Sequence, residues 1–192
     1  MITVVVEGES DRQAAIAVVR AAGHEVDSVR VAKGKSRLDG RIPKYRAAAV
    51  HAAWVVFRDS DGDCPVALRQ RLESRTGVRS TSRFALRIAH SMTEAWLLAD
   101  VAGFAEYFRV SPQRVPPAPE VLPNAKRKLL DLCARSRSRA IREEVVTSDH
   151  QTGPLYVEHI NEFAARHWQV DRARGHSPSL DRAVTAIAAL PT

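Results

Sequence analysis

Two short apolar runs that end in acids constrain this chain more than any other feature. Ile2–Val6 is a β-branched run closed by Glu7-Gly8, and residues 54–57 (WVVF) lead into Asp59, Asp61 and Asp63, with only Ser60 and Gly62 between them. Runs this short and this uniformly apolar read as strands buried on both faces, which need helices above and below the sheet. Helical patterns do alternate with them. Behind Ser10, an S-x-x-Q capping signal with Gln13, the apolar positions 14, 16, 17, 18 and 21 predict a helix that stops at Gly23. Residues 28–32 predict a second strand, followed by a basic loop, KGKSRLDGR, and a helix over 43–53. A helix over 66–75 closed by Gly77, a strand at Phe84–Ala89 and one long amphipathic helix over 93–108 complete the pattern. Strands alternating with helices imply right-handed crossovers and a mostly parallel four-stranded sheet, an α/β fold of Rossmann-like type.

The segment VSPQRVPPAPEVLP then places five prolines between Pro112 and Pro123, which predicts an irregular connector over 111–124. Beyond it only helices are expected: 125–145, 155–168 and 180–190, the last opened by the capping sequence SPSLDRA. The expected organisation is a core over 1–110, the connector, and a helical C-terminal extension over 125–192. With 192 residues the chain is long enough for one ordinary domain, or for a core with a small appendage. It shows no twenty-residue apolar span and no basic-then-apolar leader, so a cytoplasmic protein without membrane insertion is expected. Cys64 and Cys133 form no CxxC pair, which fits reduced thiols and leaves a zinc site without ligands.

In an open parallel sheet, ligands bind outside the carboxyl ends of the strands. Glu7 sits at the end of the first strand, Asp11 one turn beyond it, and the aspartate cluster at the end of the third. If those strands are neighbours, the acids converge, and convergence is unfavourable without a cation. Oxygen-only ligands favour Mg2+ or Mn2+, as one ion or two. A geometric condition follows: Glu7 has to lie within roughly 8 Å of the Asp59 and Asp61 side chains. A plainer reading stands beside this one, since Asp-Ser-Asp-Gly-Asp is good turn chemistry and acids favour helix N-termini. Three competing motifs fail. An EF-hand loop from Asp59 would need Gly and Glu where Cys64 and Gln70 stand. Gly34-Lys35-Ser36 lacks the earlier P-loop glycine, Val29 standing there. A haloacid-dehalogenase-type phosphatase would carry an aspartate where Glu7 is.

The order E-G-x-x-D after a first strand (Glu7 to Asp11) and D-x-D after a third (Asp59 to Asp61) resembles the TOPRIM domain of topoisomerases, primases and related nucleases. The resemblance covers about residues 1–100 and is nearest to small stand-alone forms and to nucleases of the OLD (overcoming lysogenization defect) family. It implies a Ser/Thr-x-x-Glu segment after the fourth strand, matched by Ser91-Met92-Thr93-Glu94, and a later basic residue, supplied by Lys126 or Lys128. For Glu94, a capping box is the structural alternative. His90 beside it reads as a supporting residue rather than a ligand, and Trp96 and Trp168 as core.

On this resemblance Glu7, Asp11, Asp59, Asp61, Asp63 and Glu94 form the expected metal set, with Lys126 assisting catalysis and Glu7 as ligand or base. The expected activity is Mg2+- or Mn2+-dependent hydrolysis of phosphodiester bonds, in DNA before RNA, in an antiviral or mobile-element setting. Tyr45, Tyr107 and Tyr156 fall outside the acid-bearing segments, so hydrolysis is expected rather than cleavage through a tyrosine. The formal charge of +7 permits a polyanionic partner. Lys128, Arg135, Arg139 and Arg142 share one face if 125–145 is a single helix, and Lys33, Lys35, Arg37, Arg41 and Lys44 form a second basic rim. Either group is also what a solvated surface looks like. A second copy or a partner protein is expected to complete so small a chain. The alternatives are a non-cleaving nucleic-acid-binding or regulatory module and a phosphotransfer enzyme acting on a small nucleotide.

Overall fold

The computed structural model describes residues 1–74 and 81–191, so the expected helix stop at Arg75 and Gly77 lies outside the described residues. Four strands, β1 (Ile2–Val6), β2 (Val26–Val31), β3 (Ala53–Asp59) and β4 (Phe84–Ala89), form one sheet in the order β2-β1-β3-β4. Every neighbouring pair is parallel. The expected α/β architecture, a parallel sheet covered by helices on both faces, is therefore what this chain forms.

Alternation along each strand sorts its side chains between two apolar layers. Ile2, Val4, Val6, Val55 and Phe57 enter one layer, while Val5, Trp54, Val56, Leu86 and Ile88 enter the other. The second layer is covered by α2 (Lys35–Ala48) and α3 (Pro65–Ser74) through Leu38, Ile42, Tyr45, Leu68 and Leu72. The spacing of Leu38, Ile42 and Tyr45 explains a correction to the expected basic loop and later helix. These three side chains are buried against the sheet, and that burial carries the helix through Gly40 and Pro43. Only Lys33 and Gly34, both at positive φ, precede it as a turn.

The first layer is covered by α1 (Arg12–Ala21) and by everything after β4. These elements are α4 (Thr93–Ala99), α5 (Val101–Tyr107), α6 (Ala125–Cys133), α7 (Arg139–Glu144), α8 (Tyr156–Arg166), α9 (Val170–Arg174) and α10 (Pro178–Ala188). Trp96, Phe104, Phe108, Leu129, Ile160, Phe163 and Leu180 belong to the same buried cluster as Val4 and Phe57. The C-terminal helices thus share the core of the sheet. Phe104, Phe108 and Phe163 pack with ring centroids 4.5 to 5.9 Å apart, and each such ring contributes about 2–3 kcal/mol by burial.

Both long helices expected from periodicity are broken, each by a polar group that needs partners. The 93–108 pattern stops at Asp100, only 1% exposed. Its carboxylate accepts from Gly103 N–H (3.1 Å) and Gln169 N–H (2.8 Å) and takes a bidentate Arg172 (2.9 and 3.0 Å). The 125–145 pattern stops after Cys133, where Ser136 Oγ donates to the Phe108 carbonyl (2.6 Å) and Ser138 caps α7. The connector holds two 3-10 turns, Pro112–Arg114 and Pro119–Val121, and buries Glu120, which accepts from Ser179 N–H at 2.9 Å. α9 was not anticipated. Among the described residues no helix is long and apolar enough to cross a membrane.

Candidate functional site

With β1 between β2 and β3, the crossovers leave β1 in opposite directions, so the switch point of the sheet is the crevice beyond the carboxyl ends of β1 and β3. Glu7 directly follows β1, Asp59 is the last residue of β3, and Thr93-Glu94 open α4 just after β4. Three neighbouring strand ends therefore deliver acids to one edge.

One group of acids surrounds Arg58, a charged residue inside the buried strand β3. Arg58 is 6% exposed, and its guanidinium lies 3.0 Å from Asp39, 2.9 Å from Asp61 and 3.7 Å from Glu7. It also donates to the Asp59 main-chain carbonyl. Because Glu7 Oε2 and Asp61 Oδ2 approach the same Nη1, they lie within the roughly 8 Å required of them. Lys35 Nζ adds a contact with Asp61 at 3.4 Å. Glu7 is less well served: its Oε2 is buried without a hydrogen-bond partner, and burial raises its pKa against the opposing pull of Arg58.

A second group, Asp11, Asp59 and Glu94, has almost no countercharge. Asp59 Oδ1 accepts from Thr93 N–H (3.0 Å) and Thr93 Oγ1 (2.9 Å). Asp11 Oδ2 accepts from Gly8 N–H (2.9 Å), so Asp11, not Ser10, closes the turn before α1. Gly8 is extended here, at φ −126°, so the turn requires no left-handed backbone. Glu94 is buried and accepts from Tyr156 Oη (2.8 Å). Among the described residues the one cation within ion-pair distance of this trio is Lys126, 3.9 Å from Glu94 Oε1 and 4.8 Å above the Tyr156 ring. The electrostatics follow. Burial, then the charge of Glu94, pushes Asp11 up to about 7. Burial, then Asp11 and Glu94, holds Asp59 well above the usual carboxylate range. Glu7 adds to both, which ties the two groups into one field.

The C-terminal helices build the far wall. Asn161 of α8 accepts from Gln13 N–H (3.0 Å) and donates to the Glu9 carbonyl (3.0 Å), clamping the turn that carries Asp11. Tyr156, expected away from the acids, reaches them. Burial and Glu94 raise its pKa well above the ordinary phenol range, which makes it a poor nucleophile and a good anchor.

Other expected residues stand apart. Asp63 is exposed and pairs with Arg71 at 2.8 Å. Lys33, Lys35 and Arg37 are exposed at the start of α2, Lys35 reaching the site through Asp61. Lys128 lies on α6 and Arg139 and Arg142 on α7, with Arg135 in the intervening turn, so the single basic face of an unbroken helix does not form. Arg139 pairs with Glu143 (2.8 Å), and Arg142 donates to the Ser136 carbonyl (2.5 Å). Arg58 left one sequence signal: a charge inside a buried strand demands partners. Tyr156 and Asn161 left none, because their role depends on how α8 docks.

The donor set suits a hard divalent ion, being carboxylate oxygens that repel one another, with Glu7 Oε2 unpartnered beside them. Among the described residues no three His, Cys, Asp or Glu side chains stand close enough together to hold a metal ion as they are placed. Arg58 supplies the charge that Glu7 and Asp61 would otherwise take from an ion, so Asp11, Asp59 and Glu94 fit an ion better. No family model, curated protein or solved structure matches this chain.

Proposed function

We infer that this chain is a Mg2+- or Mn2+-dependent nuclease of TOPRIM type that hydrolyses phosphodiester bonds, DNA before RNA, in the cytoplasm. The observation that carries the reading is the under-neutralised trio Asp11, Asp59 and Glu94 at the switch point, with Lys126 against it. A bound divalent ion would be held by Asp11, Asp59 and Glu94, with Glu7 in support, and would supply charge for the attacked phosphate and acidity for water. The chain's own residues do the rest. Thr93 fixes Asp59 through two hydrogen bonds, Gly8 N–H and the Asn161 clamp fix Asp11, and Tyr156 fixes Glu94. Lys126, half-buried over the Tyr156 ring, is placed to stabilise negative charge on a phosphate entering from the open side. Glu7, raised in pKa and lacking a hydrogen bond, is the group suited to accept a proton.

The test is incubation with plasmid, linear DNA and RNA in Mg2+, Mn2+ or EDTA. Metal-dependent cleavage that disappears in Asp59→Asn is expected; intact polymers under every metal would overturn the reading. One observation favours a second reading, a non-cleaving nucleic-acid-binding module: Arg58 already neutralises Glu7 and Asp61. Salt-sensitive DNA binding without cleavage would select it.

A further inference from the structure

Beside the edge strand β4, between α3 and α10, lies a cavity of about 460 Å³ lined by Arg69, Gln70, Glu73, Arg87, Ser179 and Arg182 among others. Among the described residues three guanidinium groups line it against a single carboxylate. Arg69 Nε pairs with Glu73 Oε1 at 3.0 Å. Among the described residues neither Arg87 nor Arg182 has a carboxylate within ion-pair distance; Arg87 Nε donates only to the Leu86 carbonyl, at 2.8 Å. Arg87 is half-buried. A guanidinium carries five fixed donors, so this one keeps four N–H bonds aimed away from its own backbone partner. We propose that this cavity is an oxyanion site that takes a phosphate group, with Arg87 as its floor, Arg182 and Arg69 as its walls, and Gln70 as a neutral donor; Ser179 only lines it, its hydroxyl already donating to Glu120 at 2.6 Å.

The chemistry matches in three respects. Guanidinium forks bind phosphate oxygens in bidentate fashion and more strongly than neutral donors do. Like charges gathered around too few counterions are unfavourable: burial, then Arg69 and, to a smaller extent, Arg182 bring the Arg87 pKa down to about 10, with Glu73 offsetting only part. An anion in the cavity removes that repulsion. The position is also suited to a phosphorylated ligand, because Ser179 accepts from the His90 main-chain N–H just past β4 (3.2 Å) and α3 begins two residues after Asp63. The cavity therefore adjoins the loops that carry the acids without sharing a residue with them. The inference goes beyond the nuclease reading and stands without it, since no metal ion is involved.

The phosphate can come from a polynucleotide or from a small molecule, and the test separates them. In EDTA, the full chain labelled with 15N is titrated with inorganic phosphate, a mononucleotide and a short 5′-phosphorylated oligonucleotide. The backbone amides of Gln70, Ile88 and Ser179 report the cavity. Saturable shifts in the wild type, weakened roughly ten-fold in Arg182→Gln and unchanged in Arg166→Gln, are expected from loss of one charge-assisted contact. Arg166 is an exposed arginine on α8, 73% accessible, which controls for net charge. Arg87→Gln should weaken binding further; because Arg87 is half-buried, the exposed Arg182 variant carries the decision. The probe that binds most tightly in the wild type and loses most in Arg182→Gln names the source. Absence of saturable shifts with all three probes, or equal affinity in Arg182→Gln and wild type, would overturn the assignment.

Discussion

Arg58 and Lys126 serve the same sheet edge, yet they leave their carboxylates in opposite states. Around Arg58, three acids meet a buried guanidinium at 2.9 to 3.7 Å, and Lys35 assists from the surface. Around Lys126, three acids share one ammonium that, among the described residues, comes within ion-pair distance of Glu94 alone, at 3.9 Å. In the first group Asp39 and Asp61 are matched by Arg58, and Glu7 Oε2 alone lacks a hydrogen bond. The second holds more negative charge than its surroundings compensate, and Asp11 and Asp59 respond by holding their protons more tightly. Acids in sequence are therefore a poor guide to a metal site until the internal cations have been subtracted.

The contrast can be broken most severely through activity. Asp59→Asn should reduce cleavage by roughly 1,000-fold or more, while Asp61→Asn should lose far less, because Asp61 answers to Arg58. A rate assay on linear DNA at fixed Mn2+ ranks the two. Next comes stability. Arg58→Met strands Glu7, Asp39 and Asp61 and should cost about 3–5 kcal/mol in urea unfolding. Asp59→Asn removes repulsion and should leave the metal-free protein as stable or more so.

Acidity sharpens the comparison further. Asp11 moves from 3.8 to about 7 on folding, and Asp59 moves in the same direction. The folded metal-free protein therefore binds more protons than the unfolded chain across that window, and its stability falls as pH rises from about 4 to about 7. Scanning calorimetry in EDTA should show Tm dropping by roughly 5 °C or more across it, with the slope flattened in Asp11→Asn. The smallest effect belongs to Asp63. It pairs with Arg71 at the surface, so Asp63→Asn should change stability by no more than about 0.5 kcal/mol and leave the cleavage rate unaltered.

The strands were legible because their apolar runs are short and bounded; Ile2–Val6 and Phe84–Ala89 coincide with their expected limits. Glu7, Asp11 and Asp59 could be placed at one edge on the condition that β1 and β3 are neighbours, whereas Glu94, and Lys126 or Lys128, were expected only from the TOPRIM resemblance. What could not be read was tertiary. Periodicity continues through Asp100 and through residues 134–138, and only the partners of Asp100, Ser136 and Ser138 show why the helices stop there. The same blindness hid Arg58, whose three acid partners come from three different segments, and Tyr156, whose hydroxyl meets Glu94 across 62 positions.

Direct titration of Mn2+ into the EDTA-stripped protein, followed by electron paramagnetic resonance, tests which half holds the ion. Saturable binding in the wild type and in Asp61→Asn, lost in Asp59→Asn and Glu94→Gln, is the predicted pattern. Binding that survives Asp59→Asn and Glu94→Gln but disappears in Asp61→Asn, or no saturable binding to the wild type, would contradict the assignment of the unneutralised trio as the cation site.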